Sequence, residues 1–261
     1  MHTAGQNTKP LQVSIVIPVF NEAPVLEELH RRVVETCDRL GNSWEIVYVD
    51  DGSSDASGRI LEKLRGETAA SVRIVRLAGN HGQQAAVLAG FRHSEGDVVV
   101  QLDGDLQHPP EEIPKLLDAL ADAHMQLVTT TPIRRHDPPW RVTASALLRH
   151  VGGRLLGKGR RLNLSSFRAM RRNVIEKIQV APDQRYLAVL MSRMNVPSVE
   201  IPVEHHPRSG GATKYSFFSL FKMGWILLAS CLREELPAFP PTVARQKFTV
   251  VEIVPSCKSK N

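Results

Sequence analysis

Short apolar runs alternate with amphipathic segments along the first half of the chain. The runs occupy residues 13–20, 44–49, 72–77, 98–102 and 126–131. Short, almost continuously apolar runs are typical of strands that are buried on both faces, as in parallel sheets. Because a helical pattern separates each run from the next, the sequence predicts an α/β fold with helices on both faces of a mostly parallel sheet.

The remaining elements follow from the same patterns. Helices are predicted over 24–40 and 56–68, in a segment ending near His93, and over 109–123. The second half predicts a basic helix over 140–156, a short strand over 165–168, short helices over 174–178 and 186–194, and strands over 199–205 and within 247–254. Proline donates no ladder hydrogen bond, so Pro202 restricts its strand to an edge of the sheet.

Polar clusters follow four of the predicted strands. They contain Phe20–Asn21, Asp50–Asp51, Asn80–Gly82 and Asp103–Asp105. In open α/β sheets, ligands bind beyond the carboxyl ends of the strands. The four clusters therefore predict one ligand site at that edge of the sheet.

Asp103 and Asp105 are the centre of this predicted site. At the end of a strand, residues i and i+2 point to the same side, so the two carboxylates converge. They repel each other unless a cation lies beside them, and carboxylate oxygens suit Mg²⁺ or Mn²⁺ that also binds substrate phosphates. The alternative is an ordinary polar turn.

The other clusters also leave alternatives open. Asp50 and Asp51 could hold a ribose or a base edge, while Ser53, Ser54 or Asp55 caps the next helix. His81 is expected to be a loop residue, and its loop lacks the Gly-Lys-Ser/Thr sequence of a P-loop. The glycine-rich segment 208–215 either closes over phosphates or is a flexible linker.

Charge and composition narrow the classes of binding partner that the chain could have. The net charge is +6, and between Arg134 and Arg172 Asp137 is the only acidic residue. Such a segment favours a phosphate-bearing partner, either a nucleotide or an anionic membrane surface. Nucleic acid is disfavoured, because aromatic residues are few and no nucleic-acid-binding motif is present. The three cysteines are widely spaced, which indicates a reducing compartment.

The chain shows no signal peptide and no clean membrane-spanning segment. Residues 216–232 are the most apolar helical stretch. Its lysine, tryptophan and phenylalanine residues suit a helix lying in a bilayer interface, and a buried core helix is the alternative.

Taken together, these stretches resemble the family-two glycosyltransferases of the GT-A fold, and among them the polyprenyl-phosphate glycosyltransferases. That branch includes dolichol-phosphate mannose synthases and bacterial undecaprenyl-phosphate 4-deoxy-4-formamido-arabinose transferases. The matching stretches are Ile17–Glu22, Val49–Asp55, Asn80–Gln83, Leu102–Glu111 and Arg208–Tyr215, and the similarity extends over roughly residues 13–235. The resemblance implies a Rossmann-like, mostly parallel sheet covered on both faces, followed by a C-terminal amphipathic helix.

The resemblance also implies roles for individual residues. Asp105 and Gln107 would hold Mg²⁺ or Mn²⁺ against a pyrophosphate, with Asp103 beside them and in contact with the nucleotide. Asp105, Arg135 and Lys214 would be the catalytic residues, the last two by binding phosphates. The nucleotide sugar would be bound by Pro18, Phe20, Glu22, Asp50, Asp51, Asn80, Gly82, Asp103, Arg135, Arg208 and Lys214.

The chain departs from the family pattern at two places. Pro132 occupies the first position of an Arg-x-x-Arg motif that retains Arg135, and Leu162–Asn163 stands where the family usually has an aspartate. A sugar hydroxyl acceptor needs a general base, whereas a phosphate acceptor is already ionised near neutral pH. The loss of that aspartate therefore favours a lipid-phosphate acceptor.

The implied activity is metal-dependent, inverting transfer of a sugar from a UDP- or GDP-sugar to a polyprenyl phosphate. The enzyme would lie on the cytoplasmic face of a membrane with an anionic surface, and a homo-oligomer is left open. Transfer to a saccharide hydroxyl and nucleotide-sugar binding with weak catalysis are the alternatives. The expected organisation is a disordered segment (1–12), a glycosyltransferase domain (13–214), an interfacial helix (215–235) and a tail of unknown role (236–261).

Overall fold

The structure, a computed structural model, describes residues 12–41, 43–67, 71–133, 139–157, 162–181, 186–207 and 249–254. The strands are β1 (Gln12–Val19), β2 (Ser43–Asp50), β3 (Ser71–Leu77), β4 (Val98–Gln101), β5 (Leu127–Pro132), β6 (Arg168–Arg171), β7 (Ser198–Val203) and β8 (Val250–Val254). The helices are α1 (Ala23–Asp38), α2 (Ser57–Glu67), α3 (Gln83–His93), α4 (Ile113–Leu120), α5 (Pro139–Leu155), α6 (Arg172–Val180) and α7 (Leu187–Arg193).

The described strands form one sheet in the order β7-β5-β6-β4-β1-β2-β3-β8. Strand β1 pairs in parallel with β2 and β4, β2 with β3, and β5 with β7. Alternate residues of β1 enter different cores: Ile15 and Ile17 pack in one with α1 and α4, and Val16 in the other with α3, α6 and α7. The predicted α/β fold, with a mostly parallel sheet and helices on both faces, is confirmed.

Strand β6 differs from the prediction. It begins at Arg168, where the predicted strand ended, and runs antiparallel between β4 and β5. The sequence of such a short strand does not reveal whether it runs parallel or antiparallel to its neighbours. That direction is defined by the strands it pairs with, which are distant in sequence. Pro202 lies in β7, which is an edge strand as predicted.

The helix predicted over 109–123 is shorter in the structure. A 3₁₀ turn over Pro110–Glu112 precedes α4, which ends at Leu120. The predicted C-terminal strand is present as β8 and pairs antiparallel with β3. Arg76 of β3 forms ion pairs with Glu252 of β8 and Glu62 of α2, which tie that part of the predicted tail to the sheet.

Several predicted features lie outside the described residues, namely the N-terminal segment up to residue 11, the helix over 216–232 and the tail up to residue 248. Among the helices that the structure does describe, none has the length and apolarity required to cross a bilayer.

Helix α3 packs unusually close to the sheet because Gly90 has no side chain. A β-carbon at this position would lie 3.1 Å from Cγ2 of Val49 and closer still to Cγ1 of Val16. This contact presses α3 against β1 and β2, with the N-terminus of the helix towards the carboxyl ends of the parallel strands.

Replacing Gly90 with alanine is expected to lower the free energy of unfolding by about 1–3 kcal/mol, because the added methyl group overlaps a rigid core. Urea unfolding measures this change. Gly66→Ala in α2 is the matched control: its methyl group meets nothing within 4 Å, and alanine favours helix formation, so stability should not fall. Equal stability of the Gly90 variant and the parent chain would contradict this view of the packing.

A buried histidine lies where the segment after β4 meets the segment after β7. The ring centroid of His108 is 5.2 Å from that of Phe167 and 5.0 Å from that of His205. His108 is only 7% exposed. Burial, with the charge of His205 as a second cause, lowers the pKa of His108 from 6.5 to about 4.

This low pKa predicts a loss of stability in acid. The unfolded chain accepts a proton on His108 near pH 6.5, while the folded chain resists protonation until the pH is about 4. The stabilisation that neutral His108 contributes is therefore complete above the pKa of this residue in the unfolded chain. It is lost, up to about 3 kcal/mol, as the pH falls through its pKa in the folded chain. His108→Gln should flatten the pH dependence of the free energy of unfolding in this range, whereas His124→Gln at an exposed position should not. Identical pH profiles for the parent and His108→Gln would refute the prediction.

Candidate active site

The loops after β1 and β2 are joined by hydrogen bonds between distant residues. Asn21 has a left-handed backbone (φ 54°). Its side-chain oxygen accepts a hydrogen bond from the backbone N–H of Ser54 at 2.8 Å, and its own N–H donates to Oγ of Ser53 at 3.1 Å. The two loops therefore form one surface at the carboxyl edge of the sheet.

Helix α1 receives its N-terminal caps from the β2–α2 loop and from the first residue of α2. The backbone N–H of Glu22 donates to Oγ of Ser57 at 3.0 Å, and that of Ala23 to Oδ2 of Asp55 at 3.2 Å. Asp55 also accepts from the N–H of Ser57 at 2.9 Å, which agrees with the predicted capping of the second helix. These bonds satisfy donors that a helix start leaves without intrahelical partners.

Asp50, the last residue of β2, and Asp51, which follows it, are both buried. Oδ1 of Asp50 accepts from the N–H of Ser53 at 2.9 Å. The carboxylate of Asp51 accepts from the N–H groups of His81 and Gly82, both at 2.8 Å. Burial raises the pKa of Asp51, and the two backbone donors oppose that shift. Asp51 thus fixes the start of α3 next to the end of β2.

A second close approach fixes the same loops. Gly52 has a φ of +71°, and a β-carbon there would lie 2.6 Å from the carbonyl carbon of Gly79. No residue with a side chain fits this contact without moving the backbone. The Asn80 side chain accepts from the N–H of Gly82 at 3.0 Å, and Nδ1 of His81 lies 2.6 Å from the carbonyl oxygen of Gly79.

Asp103 is held from two sides. Nε2 of Gln83, the first residue of α3, donates to its Oδ1 at 2.6 Å, and the hydroxyl of Ser166 donates to its Oδ2. Burial, followed by repulsion from Asp105, raises the pKa of Asp103 to about 6. Arg168 opposes this shift with its positive charge.

Asp105 and Gln107 form the outer part of the same loop. The N–H of Gln107 donates to Oδ1 of Asp105 at 3.2 Å, and the carbonyl oxygen of Gln107 accepts from the N–H of His206 at 2.8 Å. A β-carbon on Gly104 would lie 3.0 Å from the carbonyl oxygen of Pro18. The loop is therefore packed against the end of β1.

The oxygen donors of this loop suit a hard divalent cation such as Mg²⁺ or Mn²⁺. Within the ranges that the structure covers, no cluster of three or more His, Cys, Asp or Glu residues could form a complete metal site. Two carboxylates and an amide supply only part of a coordination shell. Such a partial set fits a cation whose remaining ligands are substrate phosphates.

The structure thus brings most of the predicted site residues to one edge of the sheet. These are Pro18, Phe20, Glu22, Asp50, Asp51, Asn80, Gly82, Asp103, Asp105 and Gln107. Arg135, Arg208 and Lys214 lie outside the described residues. Sequence reasoning did not assign roles to Gln83 and Ser166, because only the fold reveals that they meet at Asp103.

The residues at which the chain departs from the family pattern contact neighbouring strands of the sheet. Pro132 is the last residue of β5 and pairs with Val203 of β7. The Asn163 amide donates to the carbonyl oxygen of Thr130 at 3.2 Å and to Oε1 of Glu200 at 2.9 Å. Asn163 therefore joins the segment before β6 to β5 and β7.

Comparisons with known proteins agree on one family. Residues 14–179 match the model of glycosyl transferase family 2. The undecaprenyl-phosphate 4-deoxy-4-formamido-L-arabinose transferases of Salmonella paratyphi B and Salmonella newport are each 39% identical over 222 residues, which cover 85% of this chain and 67% of theirs.

Solved structures show the same fold. Glucosyl-3-phosphoglycerate synthase from Mycobacterium tuberculosis, in complex with phosphoglyceric acid, superimposes with a TM-score of 0.65 at 18% identity, over 88% of this chain and 82% of that one. A mannosyltransferase from Pyrobaculum calidifontis, in complex with GDP-Man and Mn²⁺, gives 0.58 at 18% identity, over 90% and 68%. The family match, the relatives and the fold lead to one conclusion: this chain is a glycosyltransferase of family 2.

Proposed function

We propose that the chain transfers a sugar from a UDP- or GDP-sugar to a polyprenyl phosphate, with inversion at the anomeric carbon and with a divalent metal ion. The observation that carries the proposal is the loop of Asp103 and Asp105, which lies at the same carboxyl edge of the sheet as Asp50, with β1 between them. The named activity of the Salmonella relatives, which concerns undecaprenyl phosphate, supports this acceptor.

The difficult part of this reaction is the negative charge that develops on the departing diphosphate. Asp105 and Gln107 would hold Mg²⁺ or Mn²⁺, and the chemistry that such an ion supplies is neutralisation of this charge. Mn²⁺ in the structure of the Pyrobaculum mannosyltransferase supports a divalent ion. Arg135 and Lys214 would add positive charge at the phosphates.

The nucleotide would lie across the ends of β1, β2 and β4. Asp50 accepts a hydrogen bond from Ser53 in its own loop, and Asp51 accepts one from His81 in the loop after β3, so both carboxylates are oriented before a ligand arrives. Pro18 and Glu22 border the same surface, and Asp103 would contact the nucleotide from the β4 side. Preformed geometry of this kind lowers the ordering cost of binding. Phe20, Asn80, Gly82 and Arg208 would complete the set.

The acceptor assignment depends on proton transfer. A phosphate monoester has a second pKa of about 6, so it is ionised near neutral pH and needs no general base. Asn163, at the place of the usual family aspartate, is engaged in hydrogen bonds to Thr130 and Glu200. An amide cannot act as a base, and this supports an acceptor that is already ionised.

A lipid acceptor also requires contact with a membrane. We place the enzyme peripherally on the cytoplasmic face, with the basic residues of the segment 134–161 near anionic headgroups. Each lysine or arginine close to such a surface contributes about 1 kcal/mol. The segment 215–235 would lie in the interface as an amphipathic helix.

Release of nucleoside diphosphate from UDP- and GDP-sugars, with Mn²⁺ and with or without undecaprenyl phosphate, tests the proposal. Release should depend on the lipid, and chelation of the metal should abolish it. Asp105→Asn should reduce turnover by about a hundredfold or more, because the charge of the leaving group is no longer neutralised. Asp118→Asn, on the exposed side of α4, is the matched control and should be fully active.

Other outcomes would point elsewhere. Release that requires a saccharide would assign a hydroxyl acceptor, and nucleotide binding without turnover would assign a binding protein. Undiminished turnover by Asp105→Asn would remove the loop of Asp103, Asp105 and Gln107 (the metal loop) from the mechanism.

A further inference from the structure

The two carboxylates of the metal loop are held in different ways. Both oxygens of Asp103 accept hydrogen bonds from other parts of the fold, Oδ1 from Gln83 of α3 and Oδ2 from Ser166 of the segment before β6. Asp105 accepts from the N–H of Gln107 within its own loop. Asp103 is thus connected to two elements that lie 20 and 63 residues away in the sequence.

Gln83 donates from a firmly placed position. It is the first residue of α3, and the loop before it is fixed by the bonds from His81 and Gly82 to Asp51. Gly90 packs α3 directly against Val16 of β1 and Val49 of β2.

Ser166 lies on a segment that is held just as firmly. The hydroxyl groups of Ser165 and Thr130 are 2.7 Å apart, and Thr130 also donates to the carbonyl oxygen of Phe167 at 2.8 Å. The Asn163 amide donates to the carbonyl oxygen of Thr130. The residues on both sides of Ser166 are therefore hydrogen-bonded to Thr130 of β5.

A buried cation, the guanidinium group of Arg168, lies on the same side of the sheet as Asp103. Arg168 is 5% exposed and pairs across β4 and β6 with Gln101, two residues before Asp103. Its guanidinium contacts Sδ of Met191 at 3.0 Å and the carbonyl oxygen of Ser165. Burial lowers the pKa of Arg168 to about 10, and Asp103 acts against this shift. The cation offsets part of the charge concentrated in the loop.

We propose that Gln83 and Ser166 are positioning residues, which hold Asp103 in the orientation that receives the metal–nucleotide complex. The inference rests on the proposed function and deepens it. Without the two donors, repulsion from Asp105 would turn Asp103 away, and its side chain would have to be ordered again on binding. The pair therefore sets the affinity for the donor substrate and has little influence on the transfer step.

Matched substitutions in the first turn of α3 separate this role from general effects on the helix. Gln83→Met and Gln84→Met each remove one side-chain amide, but Gln84 accepts from the N–H of Leu187 and does not touch Asp103. Gln83→Met should weaken binding of Mn²⁺·UDP or Mn²⁺·GDP by about tenfold, the cost of one hydrogen bond to a charged group. Gln84→Met should bind like the parent chain. Isothermal titration calorimetry measures both affinities.

Two substitutions test the role of Ser166: one removes its hydroxyl group and the other retains a hydroxyl group. Ser166→Ala should weaken the same affinity by about tenfold, and Ser166→Thr should restore it because the hydroxyl returns. In an Asp103→Ala background, neither Gln83→Met nor Ser166→Ala should weaken binding further, since both act through that carboxylate. In turnover assays, the KM for the nucleotide sugar should rise while kcat stays near that of the parent chain.

The binding assay needs neither acceptor nor transfer, so it separates this inference from the proposed function. If the parent chain binds nucleotide but transfers no sugar to polyprenyl phosphate, the proposed function fails and the affinity ratios still decide the role of the pair. Unchanged affinity in folded Gln83→Met and Ser166→Ala overturns the inference. An equal loss in Gln84→Met, or a further loss in the Asp103→Ala background, overturns it as well.

Discussion

Repulsion between Asp103 and Asp105 is the constraint on which the arrangement of this site depends. Burial disfavours the ionised form of Asp103, and repulsion from Asp105 on the same short loop adds to that cost. The fold offsets the repulsion with the start of α3, the hydroxyl of Ser166 and the buried charge of Arg168. The site can therefore concentrate negative charge before any cation is bound.

The loops that surround this pair of carboxylates are also joined to one another. Each of the loops after β1, β2 and β3 hydrogen-bonds to a neighbouring loop, as in the contacts of Asn21 with Ser54 and of Asp51 with Gly82. Backbone N–H groups thus serve as fixed dipoles around the carboxylates. Rigid polar surroundings of this kind stabilise charge without reorganising during a reaction.

Much of the fold and part of the site could be predicted from the sequence, for a clear physical reason. Alternation of apolar strands and helices is a local signal, and it places the polar residues that follow β1, β2, β3 and β4 at one edge. Strand direction and cross-loop bonds are not local. The antiparallel β6, the caps that Ser57 and Asp55 provide to α1, and the meeting of Gln83 with Ser166 at Asp103 depend on backbone placement. Sequence spacing carries no signal for them.

The position of β8 has a practical consequence for altering the C-terminal region. This strand covers the outer side of β3, and Glu252 neutralises Arg76 there. A chain shortened before residue 250 would leave the backbone N–H and C=O groups of β3 open along a strand rich in valine and isoleucine, and such an edge is a template for aggregation. Affinity tags and fluorescent fusions are therefore better joined after residue 254 than in place of the final strand.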